Sequence, residues 1–152
     1  MRFQDVYTES LSDIHIPPGM RRLLGECRDR GIFLGIISNG QSARQRGKAR
    51  ALGTEAFLPD DHIMITGDIG IHKPDPRVFE AYADKFDLDP SLSVYVGDNF
   101  TNDVKCPHDA GWKTAWILRE NLYTEEEVEK AKPWVEVISS EEDQILRYLL
   151  QE

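Results

Sequence analysis

Short apolar runs alternate with helical patterns along most of this 152-residue chain. The runs at residues 32–37, 93–96 and 113–118 are almost unbroken, which is typical of strands buried on both faces. The segments at residues 18–30 and 77–86 carry apolar side chains at helical spacing, which predicts amphipathic helices. Strands that alternate with helices through short loops predict an α/β fold, a three-layer, Rossmann-like, doubly wound parallel sheet. Ligands of such a sheet bind outside the carboxyl ends of the strands.

The remaining predicted elements are shorter or more polar. They are a basic helix at residues 42–52, a strand at 63–66, a short helix at 103–110, a strand at 134–138 and a terminal helix after it. Two pairs of residues have the spacing of a capping box, Thr124 with Glu127 and Ser139 with Glu142. Asp75 has the chemistry of a helix N-cap. Helix starts are therefore predicted at these three places.

Composition limits the kinds of protein that this chain can be. Apolar residues make up 40% of the sequence, enough for one domain with a core, and no apolar run is long enough to cross a bilayer. The formal net charge is -9, so the overall field repels nucleic acid and anionic membranes. The two cysteines lie far apart, and the first ten residues do not resemble a signal peptide. We therefore expect a cytoplasmic protein that binds neither nucleic acid nor membrane.

Polar residues that suit a phosphate follow the first apolar run. Ser38, Asn39 and Gly40 come directly after it, where a hydroxyl and backbone N–H groups could donate to phosphoryl oxygens. Lys73 precedes a predicted helix and could place its ammonium near a phosphoryl oxygen and a carboxylate. Taken alone, Ser-Asn-Gly is a common turn and a single lysine is usually solvated.

Two carboxylates follow the second apolar run. Asp98 comes directly after Gly97, and Asp103 lies five residues further on. Two carboxylates near one loop suit a hard, oxygen-seeking ion such as Mg²⁺, although Asp98 alone could be a helix N-cap. Because all three motifs fall at predicted carboxyl ends of strands, the sequence predicts a Mg-assisted phosphoryl-transfer site with Lys73 and Asp103 as catalytic residues.

Three stretches closely resemble the haloacid dehalogenase-like hydrolases, namely residues 36–40, 70–79 and 94–103. The resemblance runs over residues 18–152, which would form the core domain, whereas residues 1–17 are irregular and resemble the tail of a cap domain. Most family members that resemble this chain are phosphatases acting on small phosphomonoesters. The resemblance therefore implies a small phosphorylated metabolite as the substrate.

The resemblance also implies a role for each motif. Ser38 would bind the phosphoryl group, and Lys73 would steady the charge of the nucleophile and of the phosphate. Asp98 would ligate Mg²⁺, and Asp103 would support the metal shell.

The sequence departs from the family at its start. Family members begin with a strand that ends in Asp-x-Asp, whose first Asp attacks phosphorus and whose second acts as acid and base, and they insert a cap that selects the substrate. Neither is found here, and the nearest candidates, Asp5 and Asp13, have no Asp two residues further on. The missing strand would be the first and a central one, between the strands that end at Ser38 and Gly97, so two apolar edges would be exposed. We expect residues 2–8, a second copy in a homodimer or an N-terminal fragment to fill this gap.

Two functions remain open at this point. The first is a Mg-dependent phosphatase acting on a small phosphomonoester, incomplete and inactive as this chain because the nucleophilic Asp is missing. The alternative is a non-catalytic module derived from the same fold that binds phosphate-bearing ligands or a protein partner. Both share one fold, so the fold cannot separate them.

Overall fold

A computed structural model describes residues 15–119 and 122–150 of the chain. It divides into two compact units, Met1–Gly70 and Ile71–Glu152. In each unit the strands are parallel and alternate with helices, as the α/β prediction requires. No helix in the described part of the chain is long and apolar enough to cross a membrane.

The first unit is built on a short parallel strand pair. Its elements are helix α1 (Pro18–Asp29), strand β1 (Ile36–Ser38), helix α2 (Ser42–Leu52), strand β2 (Ile63–Ile65) and helix α3 (Thr66–Ile69). Ile37 lies opposite Met64 and Ser38 opposite Ile65, so β1 and β2 end at the same edge. The apolar face of α1 contributes Met20 and Leu24 to the core that includes buried Ile65.

The first strand is shorter than the apolar run at residues 32–37 predicts. Ile32 and Phe33 are exposed and precede β1. The Phe33 ring stacks on His62 with ring centroids 4.3 Å apart, and His62 Nδ1 lies 2.9 Å from the Leu34 carbonyl oxygen. His62 therefore contacts Phe33 and Leu34 before the strand, and the ladder with β2 begins only at Ile36, opposite Ile63.

The second unit is built on three parallel strands. Its elements are helix α4 (Arg77–Phe86), strand β3 (Val94–Gly97), a π-helix (Phe100–Lys105), helix α5 (Cys106–Asp109), strand β4 (Lys113–Ile117), helix α6 (Glu125–Ala131), strand β5 (Val137–Ser139) and helix α7 (Glu142–Leu149). The strand order is β3-β4-β5, with Gly97 opposite Trp116 and Ile117 opposite Ser139. The central strand β4 is almost fully buried after its first residue.

Aromatic side chains form much of the core of the second unit. Phe79 of α4 meets Tyr95 and Trp112 edge-on, at centroid distances of 4.8 and 5.4 Å. Trp116 of the central strand β4 is fully buried and packs against Phe100. Trp112 and Trp116 therefore pack the core of this unit.

One of the three predicted helix caps is confirmed, at α6, whereas Pro76 and not Asp75 is the N-cap of α4. Thr124 and Glu127 form the complete capping box of α6. Asp75 accepts the N–H of Arg77, the first residue of α4, at 3.0 Å. The predicted box of Ser139 with Glu142 is wrong, because α7 begins at Glu142 and the Ser139 hydroxyl is used before the helix starts.

The short helix predicted at residues 103–110 begins earlier and is wider than expected. The backbone leaves Asn99 into the π-helix, and α5 follows it directly. Asn99 caps this turn, since its side-chain oxygen accepts the N–H of Asn102 at 2.9 Å. The strand predicted at 134–138 is displaced to Val137–Ser139, because a 3₁₀ turn at Lys132–Trp134 precedes it.

Within residues 15–119 and 122–150, β1 pairs only with β2 and β3 pairs only with β4. Each is thus an edge strand of its own described sheet. The absence of a first, central strand stays a prediction, since residues 2–8, which could fill the gap, lie outside the described residues. The division of the chain at residue 17 also stays a prediction.

Candidate active site

The loop after β1 is held by the first two residues of α3. The Gly40 N–H donates to the buried Thr66 hydroxyl at 3.0 Å, and the Gly67 N–H donates to the Gly40 carbonyl at 3.0 Å. The N–H of Gly40 is therefore already bonded within the protein, and a role for it as a phosphate donor would require that bond to break. Ser38 and Asn39 begin the loop and stay candidates for phosphate binding.

Both glycines of this clamp are required by close approach. A Cβ atom on Gly67 would lie 2.5 Å from the Gly40 carbonyl oxygen, a backbone atom that cannot turn aside. Gly40 has a φ of +141°, which side-chain-bearing residues rarely adopt. A Cβ there would lie 2.8 Å from Gln45 Nε2. The shape of the loop thus requires glycine at both Gly40 and Gly67.

Gln45 contacts the hydroxyl that the sequence assigns to phosphate binding. Ser38 Oγ donates to Gln45 Oε1 at 2.8 Å. The next residue, Arg46, ties α2 to α3 through Asp68, with 3.0 Å between Nη2 and Oδ2. Sequence reasoning missed Gln45, although its place in the first turn of the helix after the loop was a usable signal.

Lys73 and Asp103 form a buried ion pair in the second unit. Lys73 Nζ lies 2.9 Å from Asp103 Oδ1, and the two side chains are only 8% and 12% exposed. Lys73 also donates to the Tyr95 hydroxyl at 3.1 Å. The structure therefore brings together the two residues predicted to be catalytic, and it adds Tyr95, which the sequence placed only in an apolar strand.

The pKa of Lys73 is raised above its ordinary value. Burial alone would lower this pKa, but Tyr95 and the Asp103 carboxylate, which both accept hydrogen bonds from the ammonium, outweigh the effect of burial. Burial raises the pKa of Tyr95, so its hydroxyl stays neutral near pH 7. The cluster therefore keeps a protonated lysine at the carboxyl end of β3.

The Asp103 side chain packs closely against the backbone at the end of β3. Its second oxygen, Oδ2, accepts the Asn99 N–H at 3.1 Å. A Cβ on Gly97 would lie 2.6 Å from Asp103 Oδ2, so only glycine leaves room for the carboxylate. The π-helix thus begins with a turn that delivers Asp103 to Lys73.

Asp98 is placed differently from Asp103. Its side chain is 52% exposed, and Oδ2 lies 3.7 Å from Arg119 Nε. Its backbone is anchored, because the indole N–H of buried Trp116 donates to the Asp98 carbonyl at 3.0 Å. The structure therefore offers an accessible carboxylate on a fixed backbone.

Of the two carboxylates predicted to bind Mg²⁺, Asp98 and Asp103, the environment of Asp98 suits the ion better. The described residues contain no group of three or more His, Cys, Asp or Glu side chains that could hold a metal ion. Mg²⁺ needs no such group, since it usually keeps several waters and binds one or two carboxylates together with substrate phosphate. Asp98 suits that role, whereas both oxygens of Asp103 are already bonded, to Lys73 and to Asn99.

Asp87 and Asp89 have the Asp-x-Asp spacing but serve as structural caps. Asp87 has a φ of 52° and closes α4. Asp89 Oδ1 accepts the N–H of Ser91 at 2.9 Å and caps a 3₁₀ turn. Both precede β3 and so lie at its amino end, whereas Asp98 follows its carboxyl end. The candidates Asp5 and Asp13 lie outside the described residues.

Residues 1–117 match the family model described as haloacid dehalogenase-like hydrolase. The chain belongs to this family. Glyceraldehyde 3-phosphate phosphatase from Pyrococcus furiosus is 30% identical over 135 residues, which cover 89% of this chain and 55% of that protein. Phosphoserine phosphatase from Thermus thermophilus is 34% identical over 102 residues, covering 67% of this chain and 40% of that protein.

Solved structures show the haloacid dehalogenase-like fold as well. A family hydrolase from Deinococcus radiodurans, solved with bound phosphate and sodium, superimposes with a TM-score of 0.80 at 18% identity. The superposition covers 95% of this chain and 63% of that one. The chain thus has this α/β fold, and it spans about half the length of the curated relatives it matches.

Proposed function

We propose that this haloacid dehalogenase-like chain is the phosphate-binding and metal-binding part of a Mg-dependent phosphatase that acts on a small phosphomonoester. The observation that carries the proposal is the buried pair of Lys73 and Asp103 beside the accessible carboxylate of Asp98 at the end of β3. The phosphatase names of two relatives support the same reaction class.

Each residue has a role that its environment permits. The ammonium of Lys73 offsets negative charge that develops on a phosphoryl group, and Asp103 and Tyr95 hold that ammonium in place. Asp98 would hold Mg²⁺, which when bound supplies Lewis-acid stabilisation of phosphoryl oxygens. Ser38 donates its hydroxyl proton to an oxygen of the phosphate, and Asn39 and Gly40 shape the loop beside it.

The residues with proposed roles above do not include the nucleophile. In the described residues, the Asp-x-Asp spacing occurs only at Asp87 and Asp89, at the wrong end of β3. We place the attacking carboxylate in a segment outside the described residues, either around Asp5 or Asp13, in a second copy of the chain or in an N-terminal fragment. Association with such a segment would also complete the sheet.

A direct test is Mg-dependent hydrolysis of p-nitrophenyl phosphate by the purified chain, with Asp98→Asn as the probe. Asp84→Asn, an exposed carboxylate on α4, is the matched control. Turnover that needs Mg²⁺ and survives only in the control would support the phosphatase. Phosphate binding without turnover in any variant would exclude a nucleophile within this chain and leave either an N-terminal fragment that supplies it or the non-catalytic module. Turnover indifferent to Asp98→Asn would contradict the metal assignment.

A further inference from the structure

We infer that Gln45 is a positioning residue that sets the direction of the Ser38 hydroxyl proton and thereby controls anion binding at the loop after β1. The inference rests on the proposed function, because it assumes that Ser38 donates to a phosphate oxygen. It adds a residue and a mechanism that neither the sequence motifs nor the family assignment supplies.

A serine hydroxyl has a single proton. In the structure, that proton is donated to Gln45 Oε1 across 2.8 Å, so it is not available to a phosphate. The carboxamide of glutamine carries an acceptor and a donor on one planar group. A half-turn of that group presents Nε2 to Ser38 Oγ, and the hydroxyl proton is then released toward an anion. Gln45 can therefore support both the free and the bound state of Ser38.

The surroundings keep the Gln45 side chain at this place. Its Nε2 lies over Gly40, 2.8 Å from where a Cβ of that residue would be. Its backbone N–H donates to the Gln41 carbonyl at 3.0 Å, in the first turn of α2. The amide therefore lies between Ser38 and Gly40, and rotation about its terminal bond exchanges its acceptor and its donor at this place.

A second Ser–Gln pair in the chain shows what a purely structural pair looks like. Ser139 Oγ donates to Gln144 Oε1 at 2.7 Å, and it also accepts the Glu141 N–H at 2.9 Å. Ser139 is thus fixed from both sides in the turn before α7. Ser38 Oγ donates to Gln45, and its lone pairs can accept from a rotated Gln45 amide. Gln144 therefore provides a matched control.

The test measures the affinity of the full-length chain for inorganic phosphate by isothermal titration calorimetry. Gln45→Glu replaces the amide with a group that accepts only, which holds the Ser38 proton away from the anion. We expect a loss of about 10- to 100-fold, the range for a hydrogen bond to a charged group. Gln144→Glu introduces the same charge elsewhere and is expected to change the affinity by less than about twofold.

A double-mutant cycle with Ser38→Ala separates the added charge from the effect on the hydroxyl. If Gln45 acts through Ser38, Gln45→Glu costs much less in the Ser38→Ala background than in the wild type. The deficit of Gln45→Glu also shrinks as the pH falls toward about 4.3, the ordinary pKa of Glu, because a protonated carboxyl regains a donor. Non-additivity with Ser38→Ala is the result that a merely structural role, or direct repulsion of the anion by the new carboxylate, would not produce.

The outcomes separate this inference from the proposed function. If the wild type binds phosphate and Gln45→Glu matches Gln144→Glu, or if the two changes in the cycle are additive, the inference is wrong and the proposed function stands. If the wild type does not bind phosphate, both fail. Should Gln45→Glu not fold, Gln45→Met keeps the shape without the polar atoms and takes its place in the cycle. Additive effects of Gln45→Met and Ser38→Ala would overturn the inference.

Discussion

Replacing Lys73 with methionine keeps a chain of similar length and removes the charge that faces Asp103. The pair is 2.9 Å apart, and the two side chains are 8% and 12% exposed. The substitution therefore leaves a carboxylate with little access to water and without its counter-charge. Breaking a buried pair by removing one partner costs about 3–5 kcal/mol. Since Asp103 keeps its hydrogen bond from the Asn99 N–H, we expect the lower end, about 3 kcal/mol.

The measurement is the free energy of unfolding from urea denaturation, followed by tryptophan fluorescence, to which buried Trp116 contributes. Lys132→Met is the matched control, because Lys132 pairs with Glu129 at the surface, where the two side chains are 57% and 68% exposed. Exposed pairs contribute about 0–1 kcal/mol. If Lys73→Met costs no more than Lys132→Met, the reasoning from burial is refuted.

Two further predictions concern the same cluster. Gly97→Ala displaces the Asp103 side chain from β3. We expect this overpacking to lower the free energy of unfolding by about 1–3 kcal/mol and to abolish phosphatase turnover. Wild-type stability in this variant would contradict the close approach of Gly97 and Asp103. Because the pKa of Lys73 is raised above 10.5, its contribution to stability is full below pH 10.5 and is lost as the pH rises through the folded-state pKa. The free energy of unfolding, measured by denaturation from pH 8 to 12, should therefore decline with pH, and the decline should be smaller in Lys73→Met. Parallel pH profiles of the wild type and the variant would contradict this prediction.

Local patterns in the sequence predicted the elements that depend on local interactions. The helices at Pro18–Asp29 and Arg77–Phe86 agree with the apolar spacing within one residue at each end. The capping box of α6 followed from two residues three positions apart. These features form from contacts within a single turn, so neighbouring residues suffice to predict them.

Features that depend on distant parts of the chain were missed or misplaced. Tyr95 reaches Lys73 from 22 residues away, and its hydroxyl was hidden in an apolar strand pattern. β1 starts late because only residues opposite β2 enter the ladder. The Ser139 cap failed because its hydroxyl is committed to Gln144 and Glu141. An apolar run shows that a strand exists but not where its partner begins.

The close packing of Gly97 against Asp103 has a consequence for the residues that these positions can hold. The Asp103 carboxylate occupies the space that the Cβ atom of any other residue at Gly97 would need. Any larger residue at Gly97 must displace the Asp103 carboxylate, and that in turn takes the counter-charge away from the Lys73 ammonium. The packing of Gly97, the position of Asp103 and the charge of Lys73 therefore depend on one another.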